Sequence, residues 1–202
     1  MKKIIVLIFI VLFSCTKKEI ELKIPQEFLN KTPTYIVEKT QENLLELFNG
    51  LSTVYSTAYA NQLSCVERSN ASDCLYPKST YFENIFSNIV NAIKQIRYAK
   101  VLAIEENDKN LEGICQILEG LVFSEFALFF GDVPFSDVKF GNTSYKYSSQ
   151  IQVLKQAQLL FDKGIENVDN QNIDRFLPKF SSSSNWKEIA YSFKARYYLY
   201  AK

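Results

Sequence analysis

Lys109 to Phe135 reads KNLEGICQILEGLVFSEFALFFGDVPF, and this stretch decides the fold. Leu111, Ile114, Cys115, Leu118, Leu121, Val122, Phe126 and Phe129 recur at helical spacing. At 100° per residue they form one stripe about 140° wide, which predicts a helix over 109–130 with a broad buried face. Gly131 stands just past the last periodic residue, where a glycine can close a helix, and Pro134 prevents its resumption. Glu125 falls inside the stripe. A buried carboxylate needs donors, so Glu125 is expected to serve a structural role, capping the loop that follows.

Further helices follow on both sides. Phe82, Ile85, Phe86, Ile89, Ile93 and Ile96 predict one over about 80–103. Ile151, Leu154, Phe161, Ile165 and Val168 predict another over about 149–168. The serine run 181–184 precedes a last helix with Asn185 or Ser184 as N-cap, running to Lys202 without a stop signal. Upstream, Leu44, Phe48, Leu51, Tyr55 and Tyr59 place a helix from Gln41, with Gly50 marking a potential break. No run alternates long enough to argue a strand, so the fold class is all-α, built of antiparallel helix pairs. A tetratricopeptide period suits these lengths, although its marker residues do not align between the helices.

The N-terminus reads as an export signal: Met1-Lys2-Lys3 is basic and Ile4 to Phe13 is an apolar run too short to span a bilayer. Leu12-Phe13-Ser14-Cys15 resembles a bacterial lipobox with a bulky Phe13, followed at once by polar Thr16-Lys17-Lys18-Glu19. Residues 1–14 are then a lipoprotein signal peptide and Cys15 the lipidated first residue, carrying acyl chains such as palmitate. An ordinary signal peptide with a chance cysteine is the alternative, but no small-x-small cleavage site lies nearby. Residues 15–40, with Pro25 and Pro33 and no clear period, read as a tether, and 41–202 as the helical domain.

Composition excludes several classes. With 23 basic against 22 acidic residues, no strong field favours nucleic acid. There is no histidine, which removes Ser-His-Asp and Cys-His catalysis and the commonest zinc ligand, and the six glycines form no phosphate loop. Carboxylate pairs such as Glu105 with Glu106, or Glu119 with Glu125, could serve glycoside hydrolysis, but helix-surface acids are usually solvated. No catalytic residue, metal site or cofactor is expected. Tyr35, Tyr76, Tyr145 and Tyr147 fall in loops by this reading, where an aromatic ring can carry the apolar face of a sugar or simply pack. Cys65 and Cys74 flank the polar segment 66–73 as a disulfide-closed loop would, while Cys115 lies in the helical stripe. Spacing alone does not decide between a Cys65–Cys74 bridge and free thiols.

Phe129-Phe130-Gly131-Asp132-Val133-Pro134-Phe135 resembles the aromatic-Gly-Asp-Val-Pro-hydrophobic turn of the SusD/RagB family, and the aromatic-rich Leu121 to Phe126 precedes it as it does there. Ser149 to Ile165 is similar to the family's next helix, with Gly164 where an alanine is usual. Trp186, Ala190, Ser192, Lys194 and Arg196 resemble the helix after that, and Gly50 to Tyr55 an earlier one. The resemblance implies tetratricopeptide-like helix pairs, here the N-terminal part of a SusD-type domain, incomplete at the C-terminus because members are generally much longer. It implies a lipid-anchored protein of the outer membrane, exposed at the surface, which binds oligosaccharides or other nutrients and delivers them to a SusC-like, TonB-dependent transporter. The family has no fixed sugar motif, so it assigns no ligand-binding residue. A helical scaffold lipoprotein that binds envelope proteins is the other reading kept open.

The last helix carries apolar residues on two sides: Trp186, Ile189, Ala190, Phe193, Tyr197 and Tyr200 on one, Tyr191, Ala195, Tyr198 and Leu199 on the other. Such a helix is normally sandwiched, so an exposed aromatic patch is expected on its second side. At the opposite end of the chain, Cys15 is expected to incorporate fatty acid when the full chain is expressed in a bacterial host. Labelling of Cys15→Ala equal to that of the parent chain would exclude lipidation.

Overall fold

The computed structural model describes residues 24–49, 79–169 and 185–201. Their order is a 3-10 turn at Gln26–Phe28, then helices α1 (Pro33–Asn49), α2 (Ser79–Glu105) and α3 (Lys109–Phe130). Two short strands follow, β1 (Val133–Pro134) and β2 (Tyr147–Ser148), then α4 (Gln150–Asn167) and α5 (Trp186–Tyr198). The all-α reading holds apart from β1 and β2, which pair antiparallel with Val133 opposite Ser148. Two residues each are too few to show alternation in a sequence.

Within 15–40, read as a tether, the structure places the 3-10 turn and the first two turns of α1. Pro33 is the first residue of α1, where its missing N–H costs nothing, and the Thr32 hydroxyl accepts from the Tyr35 N–H at 3.3 Å. Ile36, Val37, Thr40 and Leu44 then line a buried face, and Phe28 of the 3-10 turn joins the same core. The part of the first predicted helix beyond Asn49 lies outside the described residues.

α2 and α3 form a hairpin with defined ends. Asn107 takes a positive φ of 56°, and the Asp108 N–H bonds back to the Ala103 carbonyl at 2.9 Å, closing α2. Asp108 then caps α3 by accepting from the Leu111 N–H at 2.9 Å. α3 is the centre of the bundle, packed against α2 on one side and α4 on another. Every residue from Leu111 to Gly120 is buried, more than a single stripe predicts, because α3 is enclosed and not surface-lying. It is also long and apolar enough to cross a membrane by composition, a test that an enclosed core helix passes too. Phe129, by contrast, is exposed, as are Phe82 on α2 and Ile151 on α4. The inward face of α4 is Val153, Leu154, Ala157, Phe161 and Gly164.

Glycines let α3 and α4 approach closely by seating side chains directly on backbone. A Cβ on Gly164 would sit 2.5 Å from Ile117 Cγ1 and 2.9 Å from the Gly113 carbonyl oxygen, and one on Gly113 would sit 2.7 Å from Val168 Cγ1. This explains a glycine at position 164 where the family pattern favours alanine.

The Gly-Asp-Val-Pro turn is tied down at each residue. Gly131 ends α3 with φ 76° and ψ −117°, a mirror-image extended conformation that side chains disfavour, and its N–H bonds the Ala127 carbonyl at 2.9 Å. Asp132 does not turn back on its own backbone; its Oδ1 accepts from the Gln150 N–H at 2.9 Å, at the start of α4. Phe135 tilts against Phe123 with ring centroids 4.5 Å apart, and the Arg97 guanidinium of α2 lies over both rings at 5.4 and 5.0 Å. The same Arg97 donates to the Val138 carbonyl at 2.9 Å and the Ser136 carbonyl at 3.3 Å, and pairs with Glu119 of α3 at 2.7 Å. Lys100 holds the other Glu119 oxygen, and Glu119 is only 2% exposed.

Removing Arg97 leaves buried Glu119 with one cation in place of two and takes the donor from the Val138 carbonyl. Arg97→Met is expected to lower the unfolding free energy by about 3 kcal/mol, and Arg97→Lys to recover less than half of that, because an ammonium cannot supply the planar fork. Urea denaturation measures both, and an unchanged midpoint for Arg97→Met would show that the turn is held by other contacts.

Candidate functional site

α1 and α2 lie side by side and antiparallel. The buried Thr40 hydroxyl sits 2.7 Å from the Ile36 carbonyl and 3.0 Å from Gln95 Oε1, which joins the two helices at one end. Beyond this contact runs a groove of about 610 Å³, within the ordinary size of a small-ligand site. Its floor is apolar, made by Leu44, Ile85 and Ala92. The α2 wall is a row of amides, Asn84, Asn88, Asn91 and Gln95, while α1 contributes Asn43 and Glu46. Leu47 and Tyr81 complete the lining away from Gln95.

The amide row follows from spacing. Steps of four, three and four residues keep the four side chains within an arc of about 60° at 100° per residue. Ile85, Ile89, Ala92, Ile93 and Ile96 occupy the neighbouring buried face and fix the rotation of α2. Asn43, Asn84, Asn88 and Asn91 are exposed, and their amides make no hydrogen bond among the described residues. Each therefore offers two N–H donors and a carbonyl acceptor to whatever enters. Among the described residues Glu46 is the one charged member of the lining, with amides and not cations on the α2 wall. Such a site can hold a neutral, hydroxyl-rich molecule in orientation.

The residues singled out by sequence go elsewhere. Tyr35 is on α1 and not in a loop, exposed with Lys31 Nζ 5.0 Å from its ring centroid. Tyr145 is half-buried and donates to the Asn142 carbonyl at 3.0 Å, and Tyr147 on β2 is 61% exposed. None of these three lines the groove. Glu105 and Glu106 lie exposed at the end of α2. Glu119 and Glu125 do not form a pair: Glu119 faces Arg97 and Lys100 of α2, whereas Glu125 accepts from the Tyr197 hydroxyl and pairs with Arg196 at 3.2 Å, both of α5. The donors to Glu125 thus come from α5 and not from the loop after α3. Cys115 is buried, and burial pushes its thiol well above the ordinary range, which leaves it inert. Among the described residues no group of acids or cysteines is placed to hold a metal ion. Cys15, Cys65, Cys74 and Tyr76 lie outside the described residues. The amide row was the feature that sequence reading passed over. Its signal, Asn-x3-Asn-x2-Asn-x3-Gln on the polar side of an apolar stripe, is legible at 84–95.

Residues 17–200 match a SusD-like family model described as "Starch-binding associating with outer membrane". The chain belongs to the SusD/RagB family. Its fold is similar to the crystal structure of a SusD/RagB family protein from Bacteroides thetaiotaomicron, with a TM-score of 0.67 and 20% sequence identity. That match covers 84% of this chain and 38% of the other, so the present SusD/RagB chain spans well under half the length of that relative. No curated protein matches it.

The residues that carry the SusD/RagB resemblance in α5 make its contacts. Trp186 and Ala190 are buried, Lys194 pairs with Asp162 of α4, and Ser192 bonds the Glu188 carbonyl at 2.9 Å. Asn185 is the N-cap, with Glu188 completing a capping box. Tyr191, Tyr198 and Leu199 stay exposed, as the two-sided pattern anticipates, but α5 stops at Tyr198 and not at Lys202, and Tyr200, which the pattern put on the inward side, is exposed past its end.

Burial, and then the bond to the Glu125 carboxylate, push the Tyr197 hydroxyl above its ordinary value of 10. Above that pH the unfolded chain loses this proton and the folded chain keeps it, so its contribution to stability is present below pH 10 and declines as pH rises past it. Tyr197→Phe should flatten the alkaline fall in stability by up to about 1.4 kcal/mol per pH unit. Denaturation midpoints from neutral to strongly alkaline pH measure this, and parallel curves would show that Tyr197 titrates normally.

Proposed function

We propose that this chain is the helical part of a binding protein, not an enzyme, that captures glycans at the outer membrane. It is held there through lipid on Cys15 and passes its ligand to a SusC-like, TonB-dependent transporter. The single observation that carries the binding role is the groove between α1 and α2, concave, apolar at its floor and walled by uncommitted amides. Sugars need this combination, because hydroxyls want paired donors and acceptors while the C–H faces of the ring want apolar surface. The family description, starch-binding with outer-membrane association, supports the same reading. Binding over hydrolysis is supported by the acids themselves, since hydrolysis needs two carboxylates facing one cleft and Glu119 and Glu125 are instead held apart by cations of α2 and α5.

A second reading, a helical scaffold for envelope proteins, draws on the exposed Tyr191, Tyr198, Leu199 and Tyr200 beside α5. Apolar patches of this kind favour protein partners. The two readings separate on ligand. In native gels cast with soluble starch or other neutral polysaccharides, the unlipidated chain is expected to be retarded by at least one of them. Unaltered migration through every polysaccharide, together with stable capture of a protein lacking a TonB-dependent barrel, would replace the glycan reading with the scaffold.

A further inference from the structure

We propose that the α1–α2 groove takes a linear, neutral oligosaccharide lying along α2, one sugar unit to each helical turn, and that Glu46 selects against acidic sugars. The inference rests on the glycan-binding reading above and assigns it a place, a direction and a charge preference.

The direction comes from the amide row. From Asn84 to Gln95 is eleven residues, so the row is about 16 Å long at 1.5 Å per residue. Its rungs fall once per turn, about every 5.4 Å, which is close to the length of one sugar unit in an extended chain. Each unit therefore meets an amide in the same relation as the unit before it. A repeating ligand is what a repeating wall recognises. A branched or compact ligand would leave part of the row unused. The Thr40–Gln95 contact stops the row at one end, and Tyr81 lines the other.

The charge preference comes from the lining. Asparagine and glutamine are neutral and match hydroxyls in either donor or acceptor sense. Among the described residues of the lining Glu46 adds a carboxylate and no lysine or arginine accompanies it; Lys39, further along α1, is within electrostatic range but is held by Glu42. A uronate or sulfate group entering beside it would meet like charge and lose part of its hydration without a counter-ion.

Isothermal titration of the unlipidated chain tests this, with malto- and cello-oligosaccharides of increasing length and with oligogalacturonides as the acidic series. Affinity for one neutral series is expected to rise with each added unit until the row is filled, then level off. Asn88→Ala and Asn91→Ala should each weaken it by about tenfold, the loss of one or two well-placed hydrogen bonds. Both positions are exposed, and thermal melts like those of the parent chain would confirm that folding is intact. Glu46→Gln should raise the affinity for the acidic series relative to the neutral one by about fivefold, the release of one screened like-charge contact. Glycan binding that is independent of length, or indifferent to both asparagines, would overturn the groove assignment and leave glycan binding to another surface. An unchanged acidic-to-neutral ratio in Glu46→Gln would overturn the selectivity, and no binding of any series in any variant would overturn the glycan reading itself.

Discussion

Glu119 sits in the middle of the most enclosed helix of the molecule with 2% of its side chain exposed, and its negative charge must be answered from within. Two cations of α2 answer it. Lys100 holds one carboxylate oxygen, while Arg97 spreads its remaining donors onto the carbonyls of Ser136 and Val138 and its flat face onto Phe123 and Phe135. One charge therefore fixes the register of α2 against α3 and the course of the chain after Pro134. That course in turn sets where β2 can pair with β1, and Asp132 sets where α4 begins by capping Gln150. A hydrophobic residue at position 119 would leave Arg97 and Lys100 without their carboxylate and free Arg97 to move away from the turn it fastens.

The helices were legible because their signals are local. Asp108, Ser149 and Asn185 are caps that a sequence displays, and Gly131 with Pro134 marks an end without ambiguity. What was missed depends on neighbours. Pro33 looks like a linker residue until α1 is seen to start on it, and Ile36 and Val37 count as a core face only once α2 lies opposite. Phe129 and Ile151 fit their stripes yet point to solvent, because no element covers those edges among the described residues. Glu125 was correctly placed inside the bundle, but its donors lie on α5, which helical periodicity on α3 cannot reveal.

The candidate site was less legible for a different reason. Searching for chemistry favours histidines, cysteines and paired acids, and this chain has no histidine and engages Glu119 and Glu125 in separate ion pairs within the fold. Amides attract no such attention, since asparagine on a helix surface is unremarkable one residue at a time. Only the groove gives Asn84, Asn88 and Asn91 a common purpose, by setting Asn43 and Glu46 across from them. Membership of the SusD/RagB family places this arrangement in a fold known to it, while the 20% identity to the solved relative leaves the lining of the groove a property of this chain.

The glycine contacts between α3 and α4 have a mechanical consequence. At Gly113 and Gly164 the side chains of Val168 and Ile117 seat directly on backbone with no room to shift, and α2 is clamped to α3 by Glu119. The three helices then behave as one stiff body. α1 packs chiefly on α2, through a hydroxyl–amide contact and one aliphatic face. The compliance of the groove is accordingly one-sided: its amide wall is a fixed ruler, and any adjustment to the girth of what lies against it is a displacement of α1 alone.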